Sequence, residues 1–222
     1  FSLYKYLEGR KLHSSKDEGT LCFLLQGDNG RKIMVDLGMC DTERAAKYHH
    51  GGSIQGPGMA SYEQIQTVGV KPEDIDAVIF THLHWDHTGH CDKFPNAKFY
   101  ANKTEYEFAM DPIPMYYKSY ESDVLGIRNP IKDIEIELFE GEKELFPGIF
   151  VFDTPGHSPG HVAVEVDTED GKYIIAGDAA FWKSIRTIRD RAQDRDHILL
   201  THEPSMLKRI EETPVIGLKK TK

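Results

Sequence analysis

The chain has 222 residues, 39% of them hydrophobic and 28% charged, a balance that suits one globular domain with a core of its own over residues 1–222. A net charge of −9, with no Lys/Arg run longer than two, excludes a nucleic-acid backbone as the natural partner. No apolar run reaches membrane-spanning length, no signal-peptide pattern is legible, and Cys22, Cys40 and Cys91 share no paired spacing, so a cytoplasmic protein with no membrane contact is expected.

The N-terminal third reads as β structure. Residues 21–25 and 32–35 are short apolar runs, and Asp28-Asn29-Gly30 between them is a hairpin turn signal. Residues 48–58 carry four glycines and a proline, which predicts an irregular loop. Residues 61–64 read as a capping box that opens a short helix, with Gly69 as its stop. Residues 75–80 form a buried-type strand that runs into His82-Leu83-His84-Trp85-Asp86-His87. Residues 104–110 predict a helix that ends before Pro112. Residues 134–138, 149–152, 161–166 and 172–176 predict strands, with a turn at 167–171. Residues 185–192 predict a helix, and 198–200 a last strand. Hairpins mixed with helix-connected strands favour a layered α/β sandwich over a wholly parallel sheet.

Eleven histidines direct attention to metal. In an extended segment alternate side chains share a face, so His82, His84 and Asp86 are expected to project together, with His82 and His84 on one cation. His87 follows as the chain turns at Thr88-Gly89 and can face a second cation. Trp85, on the other face, reads as core. Imidazole with carboxylate suits zinc, iron, manganese or cobalt better than calcium. One segment cannot close such a site. His157, Asp178 and His202 each follow the end of a predicted strand, where a ligand has rigid support.

With these motifs in place, the chain resembles the metallo-β-lactamase superfamily. The matching stretches are Asp36 in Val-Asp-Leu-Gly, residues 81–87, His157 in Thr-Pro-Gly-His-Ser-Pro-Gly-His, Asp178 in Ala-Gly-Asp-Ala, and His202. The resemblance implies a four-layer αββα sandwich with the site at one edge of two sheets. It implies two divalent metal ions, zinc foremost, with iron, manganese or cobalt as alternatives. His82, His84 and His157 would hold the first ion, Asp86, His87 and His202 the second. Asp178 would bridge them, and Asp36 would orient the ligands from behind.

Within the superfamily the chain is most similar to N-acyl homoserine lactone lactonases, through residues 70–76, 104–107 and 154–161. That likeness implies hydrolysis of a small ester or lactone, with an N-acyl homoserine lactone as the expected substrate. A metal-bridging hydroxide would attack the carbonyl, with Asp86 and Asp178 as the catalytic carboxylates. Two departures bear on the substrate. Phe181 stands where those lactonases typically carry a tyrosine, and only 23 residues separate Asp178 from His202. Phe181, His50 and Tyr116 are the candidate substrate-pocket residues. Tyr116, Tyr117 and Tyr120 are open between an acyl-chain wall, a homodimer contact and core packing. His161 reads as a hydrogen-bonding support. The alternatives are a glyoxalase II-like thioesterase or other ester hydrolase on the same fold, and an iron-dependent redox enzyme.

Overall fold

Along β2 (Lys16–Gln26), Leu21, Phe23 and Leu25 alternate with Cys22 and Leu24, and both sets are buried. A strand apolar on both faces must lie between two layers. The computed structural model describes residues 2–13, 16–179, 182–203, 206 and 215–216. Phe181 therefore lies outside the described residues.

The described strands form two mixed sheets. The larger contains β1 (Ser2–His13), β2, β3 (Lys32–Val35), β5 (Ala77–Ile79), β6 (Lys98–Asn102) and β7 (Ile136–Phe139) in that spatial order, with β13 (Val215–Ile216) and β4 (Ser53–Ile54) both pairing with β1. β1, β2 and β3 are antiparallel neighbours, and β3, β5, β6 and β7 run parallel. The smaller sheet has the order β12 (Ile198–Leu199), β11 (Gly171–Ile175), β10 (Val162–Thr168), β9 (Ile149–Asp153) and β8 (Lys143–Phe146); only β11 and β12 are parallel.

Three apolar clusters define the layers. Leu21, Phe23, Val35 and Ile79 meet Ile149, Val151, Val164 and Ile175 between the sheets. Leu24, Met34, Val78 and Phe80 pack outward against Ile65, directly after α2 (Ser61–Gln64), against Ala109 of α3 (Lys103–Met110), and against Tyr120 beyond it. Phe152, Ala163 and Ile174 pack outward against Ile188 of α4 (Trp182–Arg191). The result is the expected α/β sandwich with helices on both outer faces.

The differences from the sequence reading have local causes. The segment 48–58 is not wholly irregular, because Ser53–Ile54 pairs with β1. Ahead of it, α1 (Thr42–Tyr48) forms under an Asp41 cap whose side chain accepts from Arg44 N, a helix the sequence reading lacks. At α2 the cap is Ala60. Glu63, rather than Gln64, closes back on its N–H, and Ser61 Oγ donates instead to the Leu37 carbonyl. Gly69 does end this region, in the left-handed conformation. α4 begins three residues before the expected start at 185. β8 escaped notice because its charged Lys-Glu pattern belongs to a sheet edge.

Candidate metal centre

Five loops converge at one edge of the sandwich. They follow β3, β5, β11 and β12, and the fifth joins β9 to β10. Asp36, directly after β3, has a φ of 58°, a left-handed backbone that costs a non-glycine residue about 1 kcal/mol or more. That turn buries its carboxyl completely. Oδ1 accepts from Thr81 N and Oδ2 from Thr81 Oγ1, both at 2.8 Å, and Oδ2 lies 2.9 Å from His87 Nδ1.

The chain turns over residues 84–87 rather than continuing the extended strand end expected: His87 N donates to the His84 carbonyl at 3.0 Å. Folding back, not strand alternation, brings Asp86 and His87 to the same side as His82 and His84. Trp85 points away and stacks on His49, with ring centroids 3.9 Å apart and planes 3° from parallel.

Hydrogen bonds at the rear nitrogens aim the imidazoles. Thr81 Oγ1, donating to Asp36, is left to accept from His82 Nδ1 at 3.2 Å. His87 Nδ1 donates to Asp36, and His202 Nδ1 donates to the Gly19 carbonyl at 3.0 Å. In each ring Nδ1 carries a proton and Nε2 is turned toward the centre, the orientation that metal-binding histidines require. His161 plays a different part. Asp178 N donates to its Nε2 at 3.1 Å and its Nδ1 donates to Thr154 Oγ1 at 2.7 Å, so it fixes the Asp178 backbone from behind. Gly177 makes this possible: its φ is 52°, and a Cβ there would lie 2.7 Å from His161 Nε2.

The front atoms form three overlapping groups: His82 with His84 and His157, His82 with His87 and Asp178, and Asp86 with His87 and His202. Asp178 stands among them. Its Oδ2 is 3.4 Å from His157 Nε2 and 3.1 Å from His202 Nε2, and its Oδ1 is 3.6 Å from His87 Nε2. His84 Nδ1 lies 3.0 Å from His157 Nε2, and Asp86 Oδ2 lies 3.6 Å from His202 Nε2. A tetrahedron built on Zn–N bonds of about 2.0–2.1 Å has edges of about 3.3 Å. The measured separations bracket that edge.

Electrostatics agree with a cation cradle. His82 Nε2, His84 Nε2, His87 Nε2 and Asp178 Oδ1 are buried without a hydrogen-bond partner among the described residues, an arrangement that calls for an explanation. Burial pushes His82 below the usual histidine range and His84 down to about 3, with neighbouring imidazoles adding to the effect. These rings stay neutral, as ligands must. Burial opposes charge on Asp178, but the His87 and His202 imidazoles overcome it and hold its carboxyl well below the usual range. The donor set therefore fits a pair of borderline divalent cations.

The centre opens through a space of about 260 Å³ lined by His157, Gly177, Asp178, Ala179, Leu200, His202 and Glu203. His50 is exposed and its ring lies 6.1 Å from Trp85, while half-buried Tyr116 packs with Phe108 and Tyr120, its ring 6.4 Å from His84. Neither is among the described residues lining that opening. Tyr120 is fully buried core. Sequence reasoning missed Thr81 as the link between Asp36 and His82, and His49 as the partner of Trp85. It also gave no role to Glu105, a buried carboxyl behind both ligand loops. A threonine before a histidine, or a glutamate in a first helical turn, carries no signal of such a role.

A family model for the metallo-beta-lactamase superfamily matches residues 16–212. An N-acyl homoserine lactonase of Bacillus cereus is 32% identical over 171 residues, covering 73% of this chain and 64% of that protein. One of Rhizobium radiobacter is 29% identical over 181 residues, covering 68% and 67%. The chain thus spans about 64% of the length of the Bacillus relatives it matches. A solved N-acyl homoserine lactone hydrolase, with N-hexanoyl-L-homoserine bound at its catalytic metal centre, superposes with a TM-score of 0.70 at 22% identity, over 94% of this chain and 95% of that one. AidC, a dizinc quorum-quenching lactonase, gives 0.60 at 16% identity, over 85% and 74%. At these identities the structural likeness speaks to the fold.

Proposed function

The chain belongs to the metallo-β-lactamase superfamily, and we propose that it is a dinuclear metal-dependent hydrolase that opens a lactone ring, with an N-acyl homoserine lactone as substrate. One observation carries the reading: Asp178 places its two oxygens within 3.1–3.6 Å of His157, His202 and His87, which belong to two different ligand groups. A carboxylate so placed could be shared by two cations. His82, His84 and His157 would hold one ion and Asp86, His87 and His202 the other. Zinc is the expected metal, and iron, manganese or cobalt would suit the same donors. When bound, the cations supply Lewis acidity toward an ester carbonyl and toward water.

The chain's own residues do the rest. Asp36 and Thr81 keep the imidazole lone pairs facing forward. Asp178 is a catalytic carboxylate because it fixes the spacing of the two ligand groups. Asp86 is the second: its Oδ2, beside His202, is the carboxylate oxygen that can take the proton released by the attacking water and pass it to the leaving alkoxide. The opening beside His157 and His202 admits a small molecule. The lactonase relatives support this substrate class over a thioester. Among the described residues no helix is long and apolar enough to cross a membrane, and the three cysteines are free, which supports a reducing cytoplasmic setting.

A substrate panel tests the proposal. Zinc-loaded protein is offered acyl homoserine lactones, aliphatic lactones and thioesters, with ring opening followed by acid release. Opening of the acyl homoserine lactones is expected. Thioester hydrolysis without lactone turnover, or iron-dependent oxygen consumption, would replace this reading with one of its alternatives.

A further inference from the structure

Glu105 lies in the first turn of α3, fully buried, and its hydrogen-bond partners among the described residues are Leu83, Tyr120, Ser158 and Gly160 rather than any candidate ligand. Its carboxyl accepts four hydrogen bonds. Oε1 takes Leu83 N at 3.0 Å and Tyr120 Oη at 2.8 Å; Oε2 takes Ser158 Oγ at 2.6 Å and Gly160 N at 3.0 Å. With four donors pointing at it, the group is a carboxylate with every strong acceptor direction used.

The identity of those donors gives the arrangement its meaning. Leu83 stands between His82 and His84, on the loop after β5 of the larger sheet. Ser158 and Gly160 follow His157, on the turn between β9 and β10 of the smaller sheet. Tyr120 packs its ring edge against His84, centroids 4.7 Å apart. Burial first, and then the neighbouring Glu105 charge, pushes the Tyr120 phenol above its ordinary range, so it remains a donor. The approach at Gly160 is close enough that a Cβ there would sit 2.2 Å from Glu105 N. One side chain therefore ties the two loops whose histidines, His84 and His157, meet at 3.0 Å.

We infer that Glu105 is a positioning residue that sets the spacing of the first metal site across the two sheets. The inference rests on reading the cluster as a metal centre, though not on the lactone as substrate. Glutamine at this position keeps the shape but turns a donor toward one pair of donors, so one loop loses its anchor.

The test uses protein loaded with Co(II), read by its visible d–d absorption and by competition with a chelator. Glu105→Gln should bind one of two Co(II) equivalents about 10–100-fold more weakly and shift its band. Ser158→Ala, which removes one neutral donor, should weaken the same equivalent about fivefold. Tyr120→Phe should act similarly, since both backbone anchors remain. A purely structural role would lower thermal stability and leave the cobalt band and both affinities unchanged in the folded variants; that result would overturn the inference. Should Glu105→Gln not fold, wild-type affinity and an unshifted band in both Ser158→Ala and Tyr120→Phe would overturn it equally. Absence of lactone turnover in the wild type, with both cobalt equivalents bound, would count against the proposed substrate and leave this inference standing.

Discussion

Asp36 and His87 face each other at 2.9 Å, both fully buried, with the same Asp36 oxygen also holding Thr81 Oγ1. His87 is consequently held well above its ordinary range: burial opposes its charge, and the carboxylates of Asp36 and Asp178 overcome burial. Asp36→Asn would turn an amide donor toward either the Thr81 N–H or the His87 N–H. The expected result is about a 10–100-fold loss of metal affinity at the second site. Chelator competition measures it, and unchanged affinity would show that the Asp36 contact does not tune the ligand.

His84→Ala and Asp178→Asn are expected to lose metal and activity together. Metal analysis after gel filtration, run alongside turnover, reads both. Full activity in a variant that retains no metal would show that the carboxylates and imidazoles act without cations.

Gly160 and Gly89 cannot accept a methyl group. A Cβ on Gly89 would lie 2.3 Å from the Met39 carbonyl, and one on Gly160 would lie 2.2 Å from Glu105 N, both backbone atoms that cannot swing away. Alanine at either site should destabilise the fold by about 3 kcal/mol, read from urea midpoints. A cost below about 0.5 kcal/mol would mean that the ligand loops shift freely.

Removing metal should lower stability as well as activity. Three buried ligand atoms, His82 Nε2, His87 Nε2 and Asp178 Oδ1, lack protein partners among the described residues, so a bound ion stabilises only the folded state. Metal at about 100 times its dissociation constant adds about 2.7 kcal/mol. Calorimetry with and without a chelator should show the drop; identical melting would contradict a preformed cation site.

Glu121 gives an acid signature away from the centre. It is buried with a φ of 47°, accepts from Arg44 Nε and Nη2 at 2.8 and 2.6 Å, and lies 2.9 Å from the His49 that stacks on Trp85. Burial raises its pKa, but the His49 and Arg44 hydrogen bonds win and hold it below the ordinary 4.5. A depressed carboxylate contributes stability in full above its unfolded value and loses it as pH falls through the folded one. Wild type should therefore exceed Glu121→Gln in stability at neutral pH, with the gap closing below about pH 4.5. A gap independent of pH would contradict the pairing.

The residues that gather at the centre were legible because ligand chemistry restricts residue type: histidine and aspartate at strand ends have few other reasons to cluster. The layered α/β architecture was legible from hairpins mixed with helix-connected strands, and its two sheets from the resemblance. The supporting residues were not. Asp36 was reached only through resemblance, since one aspartate after a strand is ordinary. Glu105 and Thr81 act through contacts 53 and 45 positions apart in the chain, to Ser158 and Asp36, and no local pattern encodes such partners. The turn at 84–87 was misread as strand because alternation and a tight turn can present the same side chains to one side.

Zinc dependence of lactone opening tests the central claim most directly. Metal-free protein is titrated with zinc while ring opening of an acyl homoserine lactone is followed by acid release. Turnover should be absent without zinc, rise to a plateau at two equivalents, and vanish when a chelator is added. Turnover that is undiminished in the metal-free protein, or absent at two bound equivalents, would contradict a dinuclear lactonase.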